Sequence, residues 1–523
     1  MTEKIQKTLR DSAAIRWLVL ILISGLLFST YWFQDVYSGL KGLVESDLGF
    51  TSEQFGRMIG LTTIANVFGM IIIGGIILDK WGIRFAGLVF GAIATLGGLV
   101  SALGAGGFFG YENALISMII GRVLFGIGLE VVCVVVSKTA VKWFKGYELA
   151  LAMAINMGFG RLGSAMAIAL SLDIAGVTVA PAIVFAASLV GLSLIMFVVY
   201  LFFDIKLDNQ RKAIQKEEIQ QQASSDDDFK FSDLVKLATN RSFIFIALLC
   251  VAFYSAVFPF IMYAPDLLVN KFGFAYALPE TGGEIILFGS AMLGTVSVYF
   301  MFFIFGLSFS IIPSRMKQAS HKLITSIVII LLFIAYIYNL RDVLGIWLEN
   351  GPKTASLIPI GTILFTPIFG NYVDRKGKAA SLMILGALLL IFAHLSLALS
   401  NTPVLAYLGL LSLGIAFSLV PAAMWPSVAK IVAESRLGTA YASMFTVQNW
   451  GLLLFFWGIG ALLDITNKSN LEAIRAGDMM YDYTVPILIL VLCGVVSIFL
   501  AFKLKQADKK QGYGLELPSN VKN

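Results

Sequence analysis

Runs of about 20 apolar residues, separated by short loops rich in Lys, Arg, Gly and Asp, recur along nearly the whole chain. A helix of that length crosses the roughly 30 Å hydrocarbon core of a bilayer, so each run predicts a membrane span. Six are expected at 13–38, 54–78, 84–105, 113–139, 148–172 and 179–203. Eight more are expected at 241–265, 284–312, 322–340, 354–370, 379–399, 404–431, 440–464 and 484–504, about fourteen in all. Between the sets, the stretch from Asp204 to Thr239 is too charged to enter lipid and predicts a partly helical connection. The expected organisation is an N-terminal six-helix bundle over 1–203, a cytoplasmic linker over 204–240, and a C-terminal bundle over 241–523. Two surplus spans at about 284–340 enclose a basic loop with Arg315, Lys317 and Lys322 and read as an inserted hairpin that preserves the downstream topology.

Composition supports this all-α, polytopic class. With 58% hydrophobic and 13% charged residues, the 523-residue chain cannot be one soluble globule. The net charge of +6 would suggest nucleic acid in a soluble protein, but here most Lys and Arg fall in loops that share a side with the N-terminus. The expectation is a multi-pass protein of the cell (inner) membrane, or of the lysosomal membrane in a eukaryote, with both termini cytoplasmic and no nucleic-acid partner. The N-terminal MTEKIQKTLRDSAAIRW precedes an apolar run without a small-residue cleavage site, so the first span should be retained. Cys133, Cys250 and Cys493 all lie in apolar segments, and the histidines are His321, in a loop, and His394, on an apolar helix that suits a packed neutral ring. This predicts no disulfide framework, metal site or cofactor. No Ser-His constellation marks an enzyme, and no phosphate-cradling G-x-x-x-x-G-K-[ST] loop marks an ATP-driven pump. Asn467-Lys468-Ser469 forms a glycosylation triplet, common by chance.

A weak internal repeat divides the chain. GGIILDKWGIR, with Gly75, Asp79, Lys80, Gly82 and Arg84, recurs as GNYVDRKGK, with Gly370, Asp374, Arg375, Gly377 and Lys378. Glycine allows a tight turn, the carboxylate sits near a helix end where it can bond a neighbouring helix N-terminus, and the cations hold the loop at the cytoplasmic surface. Paired copies predict a conformational switch between two bundles that rock about a central site.

Paired loops of this pattern in a six-plus-six chain resemble the major facilitator superfamily, and within it most closely the lysosomal dipeptide transporter branch. The resemblance covers almost the whole chain. It rests on GRVLFGIGLE, on AVKWFKGYEL with GRLGS, on Phe258-Pro259-Phe260, and on the block containing Trp425, Pro426, Leu437-Gly438-Thr439-Ala440-Tyr441 and Gln448-Asn449. It implies the major facilitator fold and facilitated diffusion, with Glu130 and Arg161 gripping the substrate. The E-x-x-E-R signature of proton-coupled peptide symporters is missing from span one.

Spacing points the same way. Measured from the inner helix ends, a rise of 1.5 Å per residue puts Glu130 roughly 16 Å and Arg161 roughly 20 Å deep, on adjacent helices. A dipeptide carries an ammonium and a carboxylate roughly 5 to 7 Å apart. Arg161 suits the carboxylate through bidentate bonding and Glu130 the ammonium; the bland alternative is that the two simply pair with each other. Asp35 is a candidate second ammonium contact or outer gate. Tyr254, Phe258, Trp425, Gln448 and Asn449 complete the expected pocket, with Tyr31, Trp32, Tyr37 and Tyr263 as further aromatic candidates. Arg122, roughly 12 Å nearer the outside than Glu130, is expected to be a structural or gating residue. Glu130 and Asp35 leave proton coupling open, so both uniport and symport are compatible with the chain. Two rival functions remain: a proton-coupled organic-anion transporter in which Arg122 and Arg161 share a carboxylate, and a nutrient receptor that binds without transporting.

Overall fold

The computed structural model describes residues 8–215, 237–432 and 437–518, and these are helical apart from turns, loops and two isolated β-bridges. The first half comprises α1 (Ala13–Asp35), α2 (Lys41–Leu48), α3 (Ser52–Leu61), α4 (Ile64–Val67), α5 (Met70–Ala105), α6 (Ala114–Phe144), α7 (Leu149–Ala175) and α8 (Ala180–Gln215). The second begins with α9 (Arg241–Phe272), α10 (Ala291–Ser314), α11 (Ala319–Asn339), α12 (Arg341–Leu348), α13 (Gly351–Ala355) and α14 (Leu357–Lys376). It continues with α15 (Ala379–Leu399), α16 (Pro403–Ile431), α17 (Leu437–Thr466), α18 (Leu471–Ala476) and α19 (Thr484–Gln511). Part of the expected linker, 216–236, lies outside the described residues, and its first residues continue α8.

Thirteen of the described helices are long and apolar enough to cross a membrane. The count falls one short of fourteen because α5 joins the end of the second expected span to the whole of the third at Gly82 (φ 82°, ψ 172°). Contacts with α6 show the reversal. Before Gly82, Thr62, Gly74 and Asp79 meet Arg122, Val131 and Lys138 in rising order. After it, Phe90, Gly97 and Gly104 meet Gly128, Phe125 and Ser117 in falling order. A positive φ is open to glycine at little cost, which is why the repeat carries one at the turn. The second copy repeats the device at Gly377 (φ 71°).

The expected continuous span at 54–78 is instead broken between α3 and α5. Gly69 turns the chain at φ 82°, and the freed backbone is served from the other bundle, where the Trp450 indole donates to the Val67 carbonyl at 2.9 Å. The break lets α6 approach closely: a Cβ at Gly126 would stand 1.8 Å from the Thr62 carbonyl oxygen. Two more expectations shift. The span placed at 284–312 becomes helical only from Ala291. The triplet asparagine Asn467 is buried and donates to the Leu463 and Asp482 carbonyls, so it offers no free amide for a glycan.

The surplus hairpin is α10 and α11. Phe303 of α10 packs on Gly158 and Phe159 of α7, while Gly306 packs on Ile363 of α14, so α10 fills a seam between the two bundles. Helix α11 contributes no buried residue and presents Leu323, Leu331 and Leu332 outward, a face suited to lipid.

The bundles are joined on the face opposite the termini. Lys41, fully buried, pairs with Asp266 of α9 at 2.9 Å and with Glu45 at 2.8 Å, and lies 4.4 Å from the Tyr481 ring centroid. The hydroxyls of Tyr276 and Tyr483 also donate to Asp266. Asp464 of α17 accepts from the Ser52 and Glu53 amides at the N-terminus of α3, and Lys353 pairs with Asp173 of α7 at 2.9 Å. On the termini face, Arg84 and Lys142 hold Asp204 at 2.7 Å within the first bundle, and Lys505 holds Glu516 at 3.2 Å within the second. The core divides accordingly. One cluster runs through the far side and the second bundle, and a separate one, including Leu20, Val135, Trp143 and Tyr200, fills the termini end of the first bundle. The structure is therefore closed on the far face and parted on the termini face.

Gly126→Ala should destabilise the protein by about 1 to 3 kcal/mol, seen as a lowered midpoint in detergent thermal unfolding. Gly458→Ala, where an added methyl meets nothing within 4 Å, should leave that midpoint unchanged.

Candidate functional site

Long apolar helices put α6 and α7 side by side, and each carries one charge into the middle of the molecule. Glu130 lies fourteen residues before the end of α6 and Arg161 twelve after the start of α7, roughly 21 and 18 Å from the termini-side ends. At that depth both side chains remain half-exposed, so each faces an internal space that water can enter. They form no ion pair with each other, and the bland alternative of mutual neutralisation is not the arrangement adopted.

Each charge instead faces the opposite bundle. Glu130 lies near the Asn449 side chain on α17. The Asn449 side chain donates to the Phe445 carbonyl at 2.8 Å, while its own Oδ1 is buried without a partner. Arg161 stacks its guanidinium 4.4 Å from the Phe417 ring centroid on α16. Phe417 continues into an aromatic wall: Phe258 at 5.4 Å, stacked on Tyr254 at 5.3 Å, whose hydroxyl accepts from the Trp425 indole at 3.0 Å. Trp425 stacks on Phe445 at 4.8 Å and its carbonyl accepts from Tyr441.

The remaining candidates separate into groups. Asp35 ends α1 and accepts from the hydroxyl of Ser164, one turn beyond Arg161, placing a second carboxylate in the electrostatic reach of Arg161. Tyr31, one turn earlier on α1, is half-buried among Glu130, Arg161 and Cys133. Gln448 turns away to accept from Cys250 at 3.3 Å. Trp32 packs on Phe28 and Phe185, and Tyr263 donates to the Phe456 carbonyl at 3.0 Å at the bundle interface. Arg122 is fully buried. It donates to Thr62 at 2.8 Å, to the Phe33 carbonyl at 3.2 Å and to Gln34 Oε1 at 3.1 Å, and lies 4.9 Å from the Tyr37 ring centroid. These bonds tie α1, the break after α3, and α6 together.

The paired motifs lie at the termini face, away from this space. Asp79 pairs with Lys138 of α6 at 2.5 Å rather than with a helix N-terminus, and Arg84 bonds Asp204 and Asp208 of α8. Lys80 and Arg375 are exposed. Gly75 has nothing within 4 Å of an added Cβ, and Gly370 is equally open. Gly377 is crowded by the C-terminal tail, with the Leu517 carbonyl carbon 2.4 Å from an added Cβ, and Lys378 donates to the Glu516 carbonyl at 3.0 Å.

Sequence reading missed Phe417, Ser164 and the Lys41–Asp266 closure. Phe417 sits in an unbroken apolar run with nothing to mark it. Lys41 and Asp266 look like ordinary charges at span ends; the adjoining Pro265 was the available signal, since it marks a helix place where backbone and side chains are reorganised.

Comparison with known proteins agrees with this architecture. The lysosomal dipeptide transporter MFSD1 of Danio rerio is 27% identical over 469 residues, covering 87% of this chain and 82% of the relative. The protein of the same name from Homo sapiens is 27% identical over 470 residues, covering 88% and 82%. Among solved structures, a D-xylose-proton symporter superposes with a TM-score of 0.58 at 13% identity, covering 98% of this chain and all of its own. The nucleoside transporter NupG gives 0.57 at 15% identity, covering 94% and 99%. The profile of the Major Facilitator Superfamily matches residues 20–349, and with the two-bundle fold and the parted central space it shows that this chain is a member of that superfamily of membrane transporters.

Proposed function

We propose that the protein is an alternating-access carrier of dipeptides or related amino-acid-like zwitterions, entering the central space from the termini face in the state described. The observation that carries this is the disposition of Glu130 and Arg161: opposite charges at similar depth on neighbouring helices, both half-exposed and not paired with each other. A zwitterion supplies the missing partner to each. Its carboxylate meets the planar fork of Arg161, backed by Phe417, and its ammonium meets Glu130, with Asp35 within reach of the same space. The aromatic wall of Phe258, Tyr254 and Trp425 offers apolar surface to side chains without selecting a single one. The name of the MFSD1 relatives supports the same substrate class.

The organic-anion reading needs Arg122 and Arg161 to share one carboxylate. Burial of Arg122 and its bonds to Thr62, Phe33 and Gln34 favour a structural role for it instead. The positive side of the paired loops, together with the termini, is proposed to face the cytoplasm.

Uptake of a labelled dipeptide into proteoliposomes tests the reading. Glu130→Gln and Arg161→Ala should each lower uptake roughly ten- to a hundredfold, the value of one lost charge-assisted bond. An N-acetylated dipeptide should compete poorly with wild type, and a C-amidated one likewise. A folded wild type that moves no dipeptide but moves dicarboxylates would sink the proposal. An imposed proton gradient leaves a uniporter unchanged and accelerates a symporter.

Cys133, half-exposed beside Tyr31, reports the open side; Cys250 and Cys493 are buried. An impermeant maleimide should label Cys133 from the termini face, and saturating dipeptide should protect it. Asp266→Asn, which leaves Lys41 with one carboxylate fewer, should raise labelling from the far face.

A further inference from the structure

On the termini face, where α7, α10 and α14 converge, the seam between the bundles opens into a cavity of about 600 Å³. Its walls are apolar: Leu149 and Leu151 from α7, Phe309 and Ile311 from α10, Pro367 and Ile368 from α14. Three cations line it, Arg315 and Lys322 from the hairpin turn and Arg375 from the second motif loop. The carboxylate beside them, Glu148, is already bonded to Arg16 at 3.1 Å. None of the three cations forms an ion pair with a described residue.

Three cations with no ion pair to a described residue, only Arg315 feeling the Glu148 carboxylate, above a mostly apolar cleft at the end of membrane helices match a ligand with a negative head and an oily body. We propose that this cavity binds the headgroup phosphate of an anionic phospholipid, whose acyl chains run back into the bilayer along α10 and α11. Ile312, Leu323 and Ile324 on either side of the turn are exposed and apolar, continuing the cleft toward lipid. A free phosphate ion would satisfy the cations and leave those walls bare. The cavity separates α7 of one bundle from α14 of the other, so its occupant binds the state parted on the termini face and resists closure there. The site is independent of the transported substrate, because Glu130 and Arg161 do not line it.

Native mass spectrometry of the full-length protein, with phosphatidylglycerol, phosphatidylcholine or inorganic phosphate added, tests this. Phosphatidylglycerol should be retained in preference to phosphatidylcholine. The preference should fall roughly thirtyfold in Arg315→Gln/Lys322→Gln, the loss two cations at a membrane surface account for. It should survive in Arg315→Lys/Lys322→Arg, which keeps the charges. Equal retention of the two lipids, an unchanged preference in the double glutamine variant, or loss of it in the charge-keeping variant would each overturn the assignment. Displacement of phosphatidylglycerol by inorganic phosphate would also overturn it, as the mark of a free-anion site.

Discussion

A charge surrounded by hydrocarbon must find a partner or water, and this molecule satisfies that demand in three ways. Lys41 pairs with Asp266 and Glu45, and the pairing crosses from one bundle to the other. Arg122 is answered by neutral oxygens of α1 and Thr62, which fixes the first bundle internally. Arg161 has an aromatic face on Phe417 and the Asp35 carboxylate within electrostatic reach, with no ion pair to a described residue, and so keeps bonding capacity in reserve. Closure, scaffold and the proposed binding site are three solutions to one cost.

Where those solutions lie sets the motion available. The far face is held by a buried ionic knot with two tyrosine hydroxyls, whose parts belong to different bundles and must be rehydrated when they separate. The termini face has its clusters folded inward on each bundle, Arg84 and Lys142 about Asp204 on one side and Lys505 about Glu516 on the other. On the proposed carrier reading, each bundle can move as a body with these described clusters intact, while the opposing face trades an ion network for water. The repeated loops are alike in sequence and unlike in support, since Arg84 rests on α8 and Gly377 rests on the C-terminal tail.

The spans were legible because hydrophobic length is a direct demand of the bilayer, and the proposed site drew notice because Glu130 and Arg161 stand out against apolar neighbours. Even the turn at Gly82 was marked by its repeat, although regular helix geometry on both sides makes one continuous element of it. What pattern could not convey was pairing across bundles. Phe417 becomes a partner of Arg161 only once α16 meets α7, and the gap between α3 and α5 is matched by the close approach of Gly126 on α6 to Thr62. Both depend on residues hundreds or tens of positions apart, with no local periodicity to report them. Arg122 showed its charge in the sequence but not its neutral partners, which only packing supplies.

The two seams between bundles are sealed by opposite means. At α3 and α17 the backbones touch, with Gly56 and Gly460 leaving no room for a Cβ beside Phe456 and Ser52. At α7 and α14 an added helix, α10, packs Phe303 on Gly158 and Phe159 of one bundle and Gly306 on Ile363 of the other. One seam closes by subtracting side chains, the other by adding a wall. The two seams therefore differ in what a change of state has to move: backbone against backbone at α3 and α17, and the side chains of an inserted helix at α7 and α14.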